Sequence, residues 1–220
     1  MANIVITGAN RGIGLELAKI YKERGDTVIA AVRKSSDALD ALEVDVHSDV
    51  DVTDGDKVLK FKRDLGDITV DTLINNSGIL TSEDMLDMDY DRMRRQFEVN
   101  TLGPLRVTHL LSQLMARGSK VGIISSRVGS MTDNGGGGNY GYRISKAAVN
   151  MAGKNLSIDL EPRGIALFLL HPGYVATEMV NFAGPTPPEV SAKGLIERMD
   201  TLTIEQTGSF WHAEGYELPW

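Results

Sequence analysis

Two side chains whose types and spacing suit acid–base chemistry are Tyr142 and Lys146, four residues apart in the chain. On a helix, residues at this spacing lie on the same face. A tyrosine titrates near pH 10 and is a poor acid–base group at neutral pH unless a neighbour assists it. An ammonium about 4 Å away contributes on the order of 4 kcal/mol at an effective dielectric of 20, enough to lower a tyrosine pKa by as much as roughly three. We therefore expect Tyr142 to transfer a proton and Lys146 to lower its pKa.

The spacing alone also fits an ordinary helix face, so the surrounding residues matter. The nearby Tyr140 has Ile144 four residues on and lacks a lysine partner. Upstream, Ser126 follows a run of apolar residues that is typical of a buried strand. A hydroxyl at the carboxyl end of a strand can hydrogen-bond a substrate oxygen as charge develops on it. Ser125 and Ser130 are equally explained as turn residues.

A glycine-rich turn follows the first apolar run of the chain. Residues 8–14 read Gly-Ala-Asn-Arg-Gly-Ile-Gly and lead into an amphipathic segment. The glycines permit a sharp turn and the close approach of a pyrophosphate, while the helix N-terminus supplies N–H groups and a positive dipole end. Such glycines could serve only a tight turn, but between a strand and a helix they predict a dinucleotide site.

The second predicted strand bears on the choice of dinucleotide. In dinucleotide-binding folds an acidic residue at the end of this strand holds the ribose 2′-hydroxyl of NAD, and arginine accommodates the 2′-phosphate of NADP. Here the strand ends in Arg33 and Lys34 with no acid at its tip, and Arg11 offers a second positive charge. These residues also fit a solvated surface loop. The missing carboxylate favours NADP(H), with NAD(H) left open.

Six motifs in family order, between residue 3 and about residue 179, resemble the short-chain dehydrogenase/reductase family. The turn has the family's Thr-Gly-x-x-x-Gly-x-Gly form, and residues 142–146 have its Tyr-x-x-x-Lys. Residues 75–78 match Asn-Asn-Ala-Gly with Ser77 in place of alanine, and 172–173 match its Pro-Gly loop. The tail at 208–220 resembles the compact C-factor/sniffer-type carbonyl reductases. The resemblance implies an NAD(P)H-dependent oxidoreductase that interconverts a carbonyl and an alcohol by hydride transfer.

The resemblance also implies the residues of the site. The catalytic residues would be Asn100, Ser126, Tyr142 and Lys146. The cofactor-binding residues would be Gly8, Asn10, Arg11, Gly12, Ile13, Arg33, Asp51, Val52, Asn76, Gly78, Tyr142, Lys146, Pro172, Gly173, Val175 and Thr177. Asp45 and Val46 are an alternative adenine-contacting pair to Asp51 and Val52. A different class of function, a nucleotide-binding signalling protein with little turnover, keeps the same fold.

Short β-type runs alternate with helix-type segments, which predicts βαβ units and one doubly wound parallel sheet of Rossmann-like α/β type with helices on both faces. Strands are expected at 3–7, 27–32, within 43–52, and at 71–75, 120–125, 165–171 and 208–211. Helices are expected at 12–24, 55–65, 90–117, 142–160 and 190–203, a flexible loop at 135–138 and an apolar lid at 177–191. We expect one domain over 1–220, with a nucleotide-binding half to about 118 and a catalytic half from about 119.

The amino-acid composition excludes several classes of protein and of site. The net charge of −7 argues against nucleic-acid binding, which needs a basic surface. No cysteine is present and the four histidines are scattered, so we expect neither disulfides nor a metal site. The N-terminus is predicted to enter a strand directly, and no apolar run is long enough for a membrane span. We expect a cytoplasmic protein that acts on a small carbonyl or alcohol, and the resemblance implies a homodimer or homotetramer.

Overall fold

The computed structural model describes residues 1–220 and is built around a seven-stranded sheet in the order β3-β2-β1-β4-β5-β6-β7. The strands are β1 (Asn3–Thr7), β2 (Thr27–Ala31), β3 (Asp45–His47), β4 (Thr72–Asn75), β5 (Lys120–Ile124), β6 (Ala166–His171) and β7 (Phe210–His212). Every neighbouring pair is parallel. The order reverses direction between β1 and β4, and in such sheets ligands bind in the crevice at the carboxyl ends of the strands at that point.

Seven α-helices connect the strands. They are α1 (Gly12–Glu23), α2 (Asp37–Asp40), α3 (Gly55–Asp64), α4 (Tyr90–Phe97), α5 (Gly103–Leu111), α6 (Tyr140–Leu160) and α7 (Pro188–Thr201). No helix is both long enough and apolar enough to cross a bilayer.

The sheet has an apolar core on each face, which confirms the predicted doubly wound class. Alternate residues of β1 point to opposite faces: Ile4 and Ile6 belong to the cluster that contains Leu17 of α1, and Val5 to the cluster that contains Val58 of α3. All three β1 residues are essentially inaccessible to solvent. Strands covered on both sides read as continuous apolar runs, and this explains why the first strand was predicted with its observed bounds.

The helix expected at 90–117 is wrong as a single element. The chain forms α4, then a π-helical segment (Glu98–Leu102), then α5 and a short 3-10 turn (Ser112–Leu114). Pro104 has no N–H with which to continue the regular ladder to the carbonyl of Asn100. A π-turn is one way for a helix to absorb such an interruption, and these turns are frequent at functional sites.

Smaller differences concern the ends of elements. The third strand occupies only three residues of the range 43–52, and the last one ends at His212. Helix α6 begins at Tyr140, two residues earlier than expected, where Asn139 in the left-handed region (φ 45°) ends the glycine loop. The segment expected as a lid holds a 3-10 turn (Glu178–Val180) and the first residues of α7. The short helix α2, which was not predicted, begins after Ser36, whose side chain accepts a hydrogen bond from Leu39 N.

Candidate active site

The glycine turn between β1 and α1 is closely packed. Gly8 lies in the left-handed region (φ 69°), and its N–H donates to the Ala31 carbonyl at 2.9 Å. A Cβ added to Gly14 would lie 2.3 Å from the Gly8 oxygen, so no side chain fits there. The Asn76 amide donates to the carbonyls of Thr7 and Gly8 at 3.1 and 3.0 Å. The motif at the end of β4 therefore supports the turn at the end of β1.

A cavity of about 690 Å³ opens beside this turn, at the carboxyl ends of the central strands. That volume lies within the range of ligand pockets. Eleven of the predicted cofactor-binding residues line it: Gly8, Asn10, Arg11, Gly12, Ile13, Arg33, Asp51, Val52, Asn76, Gly78 and Thr177. The adenine-pair alternative, Asp45 and Val46, lies in β3 and not in this lining. The glycine-rich turn at a helix N-terminus and the basic residues in the lining fit a dinucleotide.

The remaining predicted cofactor residues lie outside this lining. Pro172 borders a smaller cavity of about 290 Å³. Val175 is buried and pairs with Thr186 in an isolated β-bridge. Tyr142 and Lys146 lie on α6 and do not line the large cavity, nor does Gly173.

Several lining residues were missed by the sequence analysis. Arg95 of α4 lines the cavity, and its charge together with that of Arg33 acts on Asp51. Partial burial tends to raise the pKa of Asp51, but hydrogen bonds from the Thr53 N–H and hydroxyl and these two cations hold it below its ordinary value. Because α4 follows β4 after a long connection, no local motif marks Arg95 as part of this wall.

The predicted lid also contributes to the cavity. Glu178, Met179 and Phe182 line it, and the Glu178 carboxylate forms an ion pair with Arg11 at 2.5 Å. Both partners are largely exposed, so the pair contributes little to stability. It does join the glycine turn to the segment that covers it.

Lys146 is buried beside Tyr142 on the same face of α6. Its Nζ lies 5.6 Å from the centre of the tyrosine ring and donates a hydrogen bond to the Ile124 carbonyl at 2.8 Å. Burial lowers the pKa of Lys146 from 10.5 to about 8, because the charged form is poorly solvated.

The environment of Tyr142 differs from the sequence-based expectation. Burial raises the pKa of its phenol to about 12, and a hydrogen bond with Ser126 only partly offsets that effect. The lysine charge is directed at the Ile124 carbonyl and does not lower the tyrosine pKa. The expected lowering is therefore wrong for this arrangement, and the phenol is fully protonated at neutral pH.

Ser126 is distinct from the two nearby serines. Its side chain caps the 3-10 turn (Arg127–Gly129), accepts from Val128 N at 3.4 Å and reaches Tyr142. Ser125 is instead bonded to Asn150, and Ser130 accepts from the N–H of Asp133.

Asn100 lies in the π-helical segment and is 1% exposed. Its Nδ2 donates to the Ile79 carbonyl at 2.9 Å and to the Ser145 hydroxyl at 3.0 Å, and its Oδ1 accepts from Ile79 N at 2.9 Å. A Cβ on Gly78 would lie 3.4 Å from Asn100 Oδ1 and 3.9 Å from Lys146 Nζ. The predicted catalytic residues thus converge from three segments of the chain near Gly78, which lines the cavity.

The family described as short chain dehydrogenase matches residues 2–187. Over the full length of both chains, the protein is 41% identical to the 1-hydroxy-2-glutathionyl-2-methyl-3-butene dehydrogenase of Rhodococcus sp. (strain AD45). Among solved structures it is similar to the carbonyl reductase Sniffer of D. melanogaster, with a TM-score of 0.93, 28% identity and full coverage of both chains. A Burkholderia multivorans structure described as a short-chain dehydrogenase/reductase with bound NADP gives a TM-score of 0.90 and 25% identity, over 100% of this chain and 99% of that one.

Proposed function

The chain belongs to the short-chain dehydrogenase family of oxidoreductases, and from that premise we propose that it is an NADP(H)-dependent enzyme that interconverts a small carbonyl compound and an alcohol. The observation that carries the proposal is the convergence of Ser126, Tyr142, Lys146 and Asn100 beside Gly78, which lines a cavity that fits a dinucleotide. When bound, the nicotinamide cofactor supplies the hydride that adds to the carbonyl carbon.

Different residues around the cavity are proposed to bind different parts of the cofactor. The glycine turn and the N-terminus of α1 provide N–H groups for the pyrophosphate. Asp51 and Val52 form the wall proposed for the adenine, and Thr177 also lines the cavity. A Cβ on Gly12 would lie 3.3 Å from the Thr177 side chain, so the turn and the covering segment approach each other closely.

Tyr142 is the proposed proton donor. Reduction of a carbonyl places a hydride on carbon and a proton on oxygen, and the raised pKa keeps the phenol protonated until that oxygen becomes basic. The Ser126 hydroxyl lies beside the phenol and can donate a hydrogen bond to the same oxygen. In the reverse direction the tyrosinate would accept the alcohol proton.

Lys146 and Asn100 support this step. When the cofactor is bound, we expect the Lys146 ammonium to turn from the Ile124 carbonyl towards the cofactor ribose and the Tyr142 oxygen, where its charge would stabilise the tyrosinate. Asn100 fixes the backbone at Ile79 on one side and Ser145, next to Lys146, on the other. This placement supports a part in a water relay that returns a proton by way of Lys146.

The preference for NADP(H) rests on charge at the end of β2. Arg33 and Lys34 are exposed there, both line the cavity, and no carboxylate occupies the strand tip. A guanidinium suits a 2′-phosphate because its planar fork of N–H donors can bind two phosphate oxygens at once. The similarity to a structure with bound NADP supports the same choice, and NAD(H) is the alternative.

The test is oxidation of NADPH, followed by absorbance, with a panel of small aldehydes and ketones and, in the reverse direction, alcohols that include a glutathione conjugate. The conjugate is chosen because of the name of the Rhodococcus relative. NADPH binding is measured in parallel by nicotinamide fluorescence. Turnover that depends on Tyr142 supports the enzyme, whereas tight binding with no turnover across the panel supports a signalling protein and contradicts the proposal.

Exposed apolar residues on α6 suggest how the molecule assembles. Ile144, Met151 and Ile158 on α6 are seven residues apart and 49%, 64% and 56% exposed. Seven-residue spacing places side chains along one stripe of a helix. Together with the exposed Phe97 of α4, this stripe supports a homodimer or homotetramer in which α4 and α6 pair between subunits.

A cytoplasmic location stays a prediction.

A further inference from the structure

A carboxylate that is not part of the tetrad is buried next to the helix that carries Tyr142. Glu83 is 2% exposed, although it belongs to a connection between β4 and α4 that is otherwise mostly at the surface. Burying a carboxylate is costly unless its oxygens are hydrogen-bonded. The hydrogen-bond partners of Glu83 therefore indicate which part of the structure this side chain stabilises.

All of the hydrogen bonds to Glu83 come from three residues. Oε1 accepts from the Thr81 hydroxyl at 2.6 Å, and both oxygens accept from Gln96 Nε2 at 3.2 Å. Oε2 also accepts from the backbone N–H of Gly141 at 3.1 Å. Gly141 is the second residue of α6 and directly precedes Tyr142.

The first turn of α6 needs such a partner. The first N–H groups of any helix have no acceptor within the helix, and the residue before α6, Asn139, provides no side-chain cap. A Cβ on Gly141 would lie 2.3 Å from Gln96 Nε2 and 3.0 Å from Glu83 Oε2. A larger residue at this position would therefore have to displace the Gln96 and Glu83 side chains.

Residues 79–83, which we term the strap, link this contact to the rest of the site. At one end of the strap, Ile79 makes two hydrogen bonds with Asn100. In the middle, Thr81 N donates to Gln96 Oε1 at 3.0 Å, and at the other end Glu83 reaches Gly141. The strap thus connects the π-helical segment, α4 and the first turn of α6.

We infer that Glu83 is a positioning residue, which holds the first turn of α6 so that Tyr142 is correctly placed relative to Asn100 and the cofactor cavity. The inference rests on the proposed function in that it assigns the positioned group to catalysis. A displacement of about 1 Å at a reacting group can reduce turnover by about 100-fold. A side chain that never touches substrate can therefore control kcat.

Three substitutions of Glu83 separate hydrogen bonding from charge. Glu83→Ala removes the acceptor, Glu83→Asp keeps the charge but shortens its reach, and Glu83→Gln removes the charge but keeps an oxygen for Gly141 N. We expect Glu83→Ala and Glu83→Asp to lower kcat by about 10-fold to 100-fold, with KM and the Kd for NADPH nearly unchanged. Glu83→Gln should stay within about fivefold of the unaltered protein, the cost of about one hydrogen bond. Asp84→Asn, an exposed neighbour that contacts only its own turn, is the matched control and should change nothing.

Backbone hydrogen exchange gives a readout that does not depend on turnover. In Glu83→Ala and Glu83→Asp the amides at 141–144 should exchange faster, while amides in β1 and β5 keep their protection. If the unaltered protein turns over no substrate, the proposed function fails but this exchange pattern still tests the strap. Unchanged exchange at 141–144 overturns the inference, as does a kcat within about twofold for a folded Glu83→Ala. A loss of kcat that only follows a loss of folded protein or of NADPH binding also overturns it.

Discussion

The Lys146 ammonium donates a hydrogen bond to the Ile124 carbonyl oxygen at 2.8 Å, and so joins α6 to the end of β5. Ile124 lies two residues before Ser126, so the same bond holds the segment that carries the serine hydroxyl near the helix that carries Tyr142. The ammonium is buried, and its pKa is lowered to about 8. Its charge is therefore present at neutral pH and is lost under mildly alkaline conditions.

This relationship predicts a pH dependence. As pH rises through about 8 the free enzyme loses the Lys146 charge, so kcat/KM for NADPH should fall over that range. Lys146→Ala should lower both turnover and NADPH affinity by at least about tenfold. Lys146→Arg should be less active because a planar guanidinium differs in shape from an ammonium. The arginine stays charged, so kcat/KM for NADPH should not change as pH rises through 8. If kcat/KM of Lys146→Arg falls as pH rises through 8, as it does in the unaltered enzyme, the pH dependence comes from another group.

Cofactor choice is predicted to depend on Arg33. Replacing it in Arg33→Asp puts a carboxylate at the end of β2, where it repels a 2′-phosphate and can accept a hydrogen bond from a ribose hydroxyl. The Kd for NADPH should rise by about tenfold or more, the usual cost of one charge-assisted hydrogen bond, and the Kd for NADH should fall. Fluorescence titrations with both cofactors measure the change. An unaltered protein that already prefers NADH would contradict the assignment.

Acid stability is predicted to depend on His171. Burial, aided by the charges of His212, Arg127 and Lys146, lowers the pKa of His171 to about 3, and its Nδ1 is buried without a hydrogen-bond partner. Between about 6.5 and 3 the unfolded chain binds a proton at this residue that the folded protein does not. Stability therefore falls as pH falls through that window, by at most about 1.4 kcal/mol per pH unit.

The measurement is the free energy of unfolding in urea at a series of acidic pH values. His171→Gln removes the titration and should give a shallower decline below pH 6.5 than the unaltered protein. His109→Gln, at an exposed position on α5, should leave the slope unchanged. Equal slopes for all three proteins would rule out His171 as the source.

Assembly is predicted to depend on the exposed stripe of α6. Met151→Glu places a charge in the middle of the stripe and should shift the protein from dimer or tetramer towards monomer, because an unpaired charge in an apolar interface is costly. Sedimentation at micromolar concentration distinguishes these states. Met131→Glu changes an even more exposed methionine in a loop and should have no effect. A monomeric unaltered protein would contradict the prediction.

The order of the elements was predictable because the buried strands are continuous apolar runs bounded by glycine and polar turns. The bounds of β1 followed from that pattern, and those of β2, β4, β5 and β6 differ from the prediction by one residue. A helix kink was one interpretation of Asn100, but a separate π-helical segment there was not predicted, because apolar spacing continues through Pro104 and only the missing N–H marks the change of helix type.

Local motifs also marked the glycine turn and the tetrad, but they could not reveal what surrounds them. Arg95 reaches the cavity from a segment that no motif marks, so its position depends on the packing of α4. Glu178 lies in the predicted lid, but its ion pair with Arg11 depends on how that segment packs over the glycine turn. The raised pKa of Tyr142 likewise follows from burial, which a spacing of four residues does not describe. Glu83 belongs to no recognisable motif, so the sequence did not indicate that it contacts α6.

The most direct test of the account is turnover by Tyr142→Phe, which keeps the ring and removes only the hydroxyl. On a substrate established with the unaltered protein, turnover should fall by about 10²–10⁴-fold, the contribution of a positioned acid–base group, while the Kd for NADPH barely changes. Tyr140→Phe, two residues away and without a lysine four residues on, should be nearly silent. Wild-type turnover by Tyr142→Phe would contradict the proposed mechanism.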